Sequence, residues 1–127
     1  MIVSTKGRYA LRVMVNFAQR DREEYVPLKE IAEQEGISQK YLESIMSCLS
    51  RAGVVDAVHG KGGGYRLNRD PGEYTVGSIL KLTEGSIDAV AQGALCGQTK
   101  PMWDRLNRMI DEFFEGITIA YLLKDPE

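Results

Sequence analysis

Histidine and cysteine are nearly missing from this chain: 127 residues hold one His and two Cys. Two cysteines, Cys48 and Cys96, cannot build a disulfide framework, so a reducing, cytoplasmic setting is the simplest expectation. A single histidine with no paired nucleophile gives enzyme chemistry no foothold. Long apolar runs are missing as well. Nothing approaches the roughly 18 residues of a membrane span, which argues against a membrane partner. The opening stretch MIVSTKGRYALRV lacks the unbroken apolar centre of a signal peptide. There is no low-complexity segment and no internal repeat, and only four prolines interrupt the chain.

What is present suits one modest globular domain, or one domain with an appendage. Apolar residues make up 43% and charged residues 27%, ordinary proportions for a packed protein. The net charge of −2 conceals an asymmetry. Residues 1–70 hold 11 Lys/Arg against 9 Asp/Glu, a net of +2, while residues 71–127 hold 5 against 9, a net of −4. The sign of the N-terminal half favours phosphate as a ligand. The acidic second half keeps open a different class, a module that binds protein.

Periodicity predicts a mainly α fold with one small β hairpin. Ser4 or Thr5 caps a first helix running to about Gln19. Tyr9, Ala10, Leu11, Val13, Met14, Val15, Phe17 and Ala18 make that helix apolar nearly all round. Such a helix is buried on more than one side, so a second packing partner is expected, another subunit among the candidates. Pro27 is placed at the first position of helix two, where its missing N–H costs nothing. Leu28, Ile31 and Ala32 form the helix's apolar stripe, and Gly36 ends it in the left-handed conformation. Ser38 caps helix three, whose Leu42, Ile45, Met46 and Leu49 follow i, i+3, i+4, i+7 spacing. Cys48, beside that face, reads as a small buried hydrophobe. Val54–Val58 and Tyr65–Leu67 read as strands around the tip HGKGGG. Thr75 caps a helix from Val76 to about Glu84. After an irregular stretch at 85–99, a long helix begins near Pro101, with Met102, Leu106, Met109, Ile110, Phe113 and Ile117 on one stripe. Thr118 caps a final short turn.

Helix, Gly turn, helix and Gly-rich hairpin, in that order over residues 28–65, suit a helix-turn-helix followed by a wing. A groove-reading helix buries one face and shows short polar side chains on the other, near its N-terminus. Here the outward set is Ser38, Gln39, Lys40, Glu43, Ser44 and Ser47, with Tyr41 at the edge. Lys40 and Tyr41 can reach phosphates, Gln39 an adenine edge, and Glu43 a cytosine amino group. The plain alternative is a solvated helix face. At the hairpin, glycines 60, 62, 63 and 64 allow close backbone approach, and His59, Lys61 and Arg66 add positive or switchable charge. A plain structural hairpin is the competing reading. A nucleotide cradle is disfavoured, because GKGGG has neither the GK[ST] of a phosphate loop nor the spacing of a dinucleotide fold.

The segments STKGRYALRVM, LKEIAEQEGIS, KYLESIMSCLSRAGVV, GKGGGYRL and YTVGSIL resemble successive signatures of the Rrf2 family, bacterial winged-helix transcriptional regulators. The resemblance runs over almost the whole chain. It implies a winged helix-turn-helix DNA-binding domain at 1–74. Residues 75–127 would then be a linker helix, a sensor-type loop and a long C-terminal dimerisation helix. It implies a homodimeric, sequence-specific regulator of double-stranded DNA, most often a repressor. The dimer would close through the long helix and the first helix, with Met102, Leu106, Met109, Ile110, Phe113 and Ile117 in the interface. By analogy, base and phosphate contacts fall on Ser4, Thr5, Arg8, Ser38, Gln39, Lys40, Tyr41, Glu43, His59, Gly60 and Lys61. Members often carry Arg where this chain has His59, and a neutral imidazole attracts phosphate more weakly.

The sensor loop departs further from the family pattern. Cluster-binding members place three cysteines there, because iron–sulfur clusters are held mainly by thiolates. This loop, SIDAVAQGALCGQTKP, offers only Cys96 and no histidine. The chain therefore resembles the cluster-free branch that includes the cysteine metabolism repressor. No metal or cofactor is expected, and cysteine, sulfur or redox metabolism is the regulated theme that the resemblance suggests. The signal stays open among three routes: Cys96 as a thiol redox sensor, a regulatory protein, or a small-molecule effector. An iron–sulfur or thiol-based sensor and a winged-helix protein-interaction module are the alternative functions.

Overall fold

The computed structural model describes residues 3–124, of which α-helix forms the larger part. The order is α1 (Thr5–Ala18), α2 (Leu28–Glu35), α3 (Gln39–Arg51), β1 (Val55–Val58), β2 (Gly64–Leu67), α4 (Val76–Glu84), α5 (Lys100–Glu115) and α6 (Ile119–Leu122). A short 3-10 turn at Pro71–Glu73 joins the hairpin to α4, and two more punctuate the loop before α5. No described helix is long and apolar enough to cross a membrane.

Each boundary has a local cause. The Ser4 side chain accepts the Gly7 N–H, that of Ser38 the Tyr41 N–H, that of Thr75 the Ser78 N–H and that of Thr118 the Tyr121 N–H. Each bond satisfies one donor that the helix itself leaves unpaired, and losing a cap of this kind costs about 1 kcal/mol. Helix α2 starts one residue later than the sequence suggests. Pro27 is its extended N-cap (φ −63°, ψ 142°) rather than its first helical residue. Gly36, at φ 68° and ψ 32°, turns the chain from α2 toward α3, a conformation that disfavours any residue with a Cβ.

The all-round apolarity of α1 is met mostly inside the chain. This helix packs against α2, α3, α4, α6 and β2. Its Ala10, Val13, Met14 and Phe17 are buried, and Tyr9, Leu11, Val15 and Ala18 pack partly against the same core. A second subunit is therefore not needed to explain the pattern. Leu42, Ile45, Met46 and Leu49 of α3 complete the core together with Ile31, Val54, Val55 and Leu67. Cys48 departs from expectation. It is half-buried at the margin of α3, with its sulfur 3.8 Å from an Arg51 nitrogen.

The hairpin pairs Val55 with Leu67, Asp56 with Arg66, Ala57 with Tyr65 and Val58 with Gly64. Val26 adds a further rung, exchanging two backbone hydrogen bonds with Tyr65 at 2.8 and 3.0 Å. Buried Tyr74 locks the base of this unit. Its hydroxyl donates to the Val54 carbonyl at 2.9 Å and accepts the Asn68 and Arg69 N–H groups at 3.2 and 3.0 Å.

Helix α5 is the outlier. It docks chiefly on α4 and on the turn at Gly97–Thr99, and its only buried residue is Asn107. Met102, Met109 and Phe113 are 55%, 55% and 62% exposed. Leu106 and Ile110 are half-buried. Ile117 does not share the stripe. It lies past the helix end at Gly116 and packs with Val76, Leu80 and Ile87.

Candidate nucleic-acid interface

The apolar face of α3 is sealed into the core, so its other face must point outward. Ser38, Gln39, Lys40, Glu43, Ser44 and Ser47 are exposed, and Tyr41 is half-buried. The side chains of Gln39, Lys40 and Glu43 enter none of the hydrogen bonds or ion pairs seen among the described residues. This contrasts with the neighbouring α1–α2 seam, where polar groups satisfy one another. Arg12 Nε meets Glu35 Oε1 at 3.0 Å. Asn16 Nδ2 donates to Gln34 and Glu35 at 3.0 and 2.9 Å. Arg20 binds Asn16 Oδ1 at 2.8 Å, Glu30 at 3.1 Å, and Gln34.

The start of α3 is held in place by its caps and by aromatic packing. Ser38 Oγ accepts the Tyr41 N–H at 3.0 Å, so the hydroxyl of this exposed residue is committed as a cap. The Tyr41 ring stands edge-on to Tyr9, 5.9 Å between centroids at 65°. Arg12 in turn lies 4.8 Å over the Tyr9 ring. Contacts of this kind are each worth about 0.5–1.5 kcal/mol. Tyr9 thus orients the residue at the edge of the outward face. Helical periodicity marks Tyr9 only as one of the apolar residues of α1.

The hairpin tip is exposed at His59, Gly60 and Lys61. Gly60 and Gly62 have φ of 93° and 80°, and the Gly63 N–H closes the turn onto the Gly60 carbonyl at 3.0 Å. Behind the tip, Arg66 is drawn inward. It stacks 4.3 Å over Tyr25, donates to the Glu23 carbonyl at 3.2 Å and sits 3.9 Å from Asp56. Arg66 therefore braces the wing, and Lys61 is the cation left free at its tip.

At the first turn of α1, Thr5 and Arg8 are exposed, with Arg8 donating to Thr5 Oγ1 at 3.2 Å. Ser4 is differently placed. Its hydroxyl accepts from Gly7 and donates to Glu84 Oε1 at 2.5 Å. Asn68 and Tyr74 fix the wing to the end of α3 through the Gly53 and Val54 carbonyls, a role that neither residue's type nor its spacing announces.

The loop at 85–99 is anchored rather than free. Ile87 and Leu95 are buried, and Asn107 Oδ1 accepts the Ala89 and Val90 N–H groups at 2.8 and 3.2 Å. Cys96 is exposed in this loop. Cys48 lies in α3 and His59 at the wing tip, so soft ligands do not converge on the loop. Among the described residues no group of three or more His, Cys, Asp or Glu is arranged to hold a metal ion. The residues here do not fit a thiolate-held cluster, which needs several converging sulfurs.

Residues 3–125 match the family model described as "Rrf2: Iron-dependent Transcriptional regulator". The HTH-type transcriptional regulator IscR of Vibrio campbellii is 37% identical over 134 residues, taking in all of this chain and 80% of that protein. Its counterpart in Aliivibrio salmonicida is 39% identical over the same shares. Among solved structures, CymR (YrzC), described as the global cysteine regulator of B. subtilis, superposes with a TM-score of 0.86 at 34% identity. That likeness covers 98% of this chain and 99% of the other. IscR of T. potens gives 0.81 at 40% identity, covering 100% and 89%.

Proposed function

The chain belongs to the Rrf2 family of transcriptional regulators, and from that premise we propose a homodimer that sets two copies of α3 into the major groove of one duplex and works without an iron–sulfur cluster. The observation that carries the reading is the contrast on α3: four core side chains at 0% exposure on one face, and on the other the exposed Gln39, Lys40 and Glu43, whose side chains have no polar partner among the described residues. A helix with that division has groups ready for base edges and phosphates at no cost in internal bonds. Gln39 and Glu43 read bases. Lys40, Tyr41, Thr5 and Arg8 position the protein on phosphates. The exposed tip at His59, Gly60 and Lys61 tracks the minor groove or its phosphates. Ser38 serves through its backbone N–H, since its hydroxyl caps α3, whereas Ser4, whose hydroxyl and N–H are both bonded within the chain, holds the turn that carries Thr5 and Arg8.

Dimerisation is supported by the exposed stripe of Met102, Met109 and Phe113 on a helix that buries little else. Two protomers then meet a pseudo-palindrome with half-sites spaced by whole turns of about 34 Å. The cluster-free reading is supported by the donor set: one loop thiol, no loop histidine and no converging carboxylates. Protein purified without oxygen is expected to be colourless, and a visible chromophore would overturn that part.

The exposed position of Cys96 favours a redox signal. One solved relative, CymR of Staphylococcus aureus, is described in an oxidized form. Peroxide is then expected to lower DNA affinity in the parent protein and not in Cys96→Ser; equal responses assign the signal to another effector. The function itself is tested by genome-wide capture of bound DNA followed by titration of the recovered site. Undiminished sequence-specific binding after replacing Gln39, Lys40 and Glu43 together with Ala would reject it.

A further inference from the structure

Resting on the DNA-binding role given to α1 above, we propose that Glu84 is a positioning residue for DNA: it completes, from α4, the N-terminal cap of α1 and so holds Thr5 and Arg8 in place. In an ordinary capping box the N-cap hydroxyl accepts the N–H of the third helical residue, whose own carboxylate accepts the N-cap N–H in return. The first half is present here, with Ser4 Oγ accepting the Gly7 N–H at 3.0 Å. Gly7 has no side chain to make the second half. Glu84 makes it instead, eighty residues away. Its Oε1 accepts the Ser4 N–H at 3.0 Å and the Ser4 hydroxyl at 2.5 Å.

Two features make this contact specific to these residues. Glu84 is the last residue of α4, where a negative charge opposes the helix dipole. Its carboxylate is offset by the positive end of α1, which it meets. Gly7 is also what admits it, because a Cβ there would stand 2.4 Å from Glu84 Oε1 and 3.1 Å from Thr83 Oγ1. The pair therefore fixes how closely the first turn of α1 sits on α4. The next residue, Gly85, opens the loop that carries Cys96, so that loop begins at the carboxylate holding a DNA-facing turn.

The test is a cycle of duplex affinities for the full chain: parent, Glu84→Ala, Glu84→Gln, Arg8→Ala and the Glu84→Ala/Arg8→Ala pair. Glutamine keeps an acceptor oxygen for both Ser4 donors, so Glu84→Gln is expected to bind as tightly as the parent or more tightly. Glu84→Ala is expected to bind about fivefold more weakly, the size of one lost cap. In the Arg8→Ala background the same change is expected to cost clearly less than fivefold, because of the two residues that the turn positions only Thr5 still makes its contact. If both Glu84 variants tighten binding equally, the carboxylate is only a charge repelling DNA and the proposal is overturned. An equal fivefold loss with and without Arg8 also overturns it. Glu84→Met, close in length and lacking an acceptor, replaces the Ala variant should that one not fold. Failure of the parent protein to bind duplex DNA would overturn the parent reading as well, whereas α3-dependent binding with a failed cycle removes this inference alone.

Discussion

Helices α3 and α5 are both amphipathic and of similar length, 13 and 16 residues, yet they use their apolar faces in opposite ways. In α3, Leu42, Ile45, Met46 and Leu49 are all at 0% exposure, and on the polar face the exposed side chains of Gln39, Lys40 and Glu43 have no hydrogen-bond or ion-pair partner among the described residues. In α5 the one fully enclosed residue is polar Asn107, and the apolar face carrying Met109 and Phe113 stands open. The lesson is about where each helix finds its partner. The partner of α3 on its apolar side is the chain's own core, which frees its polar side for a polar ligand. The apolar side of α5 has no such partner among the described residues, and burying a side chain of that size is worth about 1.5–3 kcal/mol.

The comparison breaks most visibly if α5 is charged. Met109→Glu with Phe113→Glu is expected to yield a monomer in sedimentation and a roughly 10²–10⁴-fold loss of affinity for a two-half-site duplex, the factor that linkage supplies. No change in sedimentation would mean that the α5 face has another use. Next in size is the core side of α3. Ile45→Ala is expected to cost about 2–5 kcal/mol in denaturant unfolding, by leaving a cavity in a closed core. Tyr74→Phe is expected to cost about 1–3 kcal/mol, since the Val54 carbonyl and two backbone N–H groups lose their partner. Chemical denaturation of the Phe variant at unchanged fluorescence and helicity measures it.

On the polar side of α3, Lys40→Ala is expected to leave stability within about 0.5 kcal/mol and to lower the slope of log affinity against log salt by about 1.8 on the two-half-site duplex, about 0.9 for each protomer's lysine. A large loss of stability from that change would mean that the outer face is structural after all. The smallest effect belongs to the anchor of α5 on α4. Lys81 Nζ lies 2.8 Å from Asp111 and 3.2 Å from Glu115. The hydrogen bond that it donates to Asp111, with help from Glu115, raises its pKa above the ordinary 10.5. A raised lysine stabilises the folded state below the unfolded value and loses that contribution as pH climbs through the folded one. Because the side chain is 42% exposed, solvent screens most of it, and Lys81→Met is expected to cost at most a few tenths of a kcal/mol at neutral pH. A pH titration of unfolding above 10 should show the parent converging on the variant.

Local rules made most of the scaffold readable. Ser38, Thr75 and Thr118 cap as their side chains dictate, and Gly36 adopts the one turn that its missing Cβ favours. The i, i+3, i+4, i+7 pattern of α3 marked its buried face correctly because helix period and core contact coincide there. Pro27 stands one residue before the position its type suggests, since a fixed φ suits the N-cap as well as the first turn. Cys48 and Ile117 escaped because margins and helix ends are set by tertiary geometry. What lay hidden were couplings across long sequence distances, such as Tyr74 to Val54, Asn107 to Val90, and Glu84 to Ser4. No periodicity records such contacts, because each is decided by how two finished elements meet.

The most direct test of the central claim is the stoichiometry of the protein on its captured genomic site, measured by sedimentation equilibrium with the full duplex and with one half-site. The account predicts two chains on the full duplex, and binding to a lone half-site weaker by orders of magnitude. One chain bound to the full site, with the half-site bound just as tightly, would contradict it.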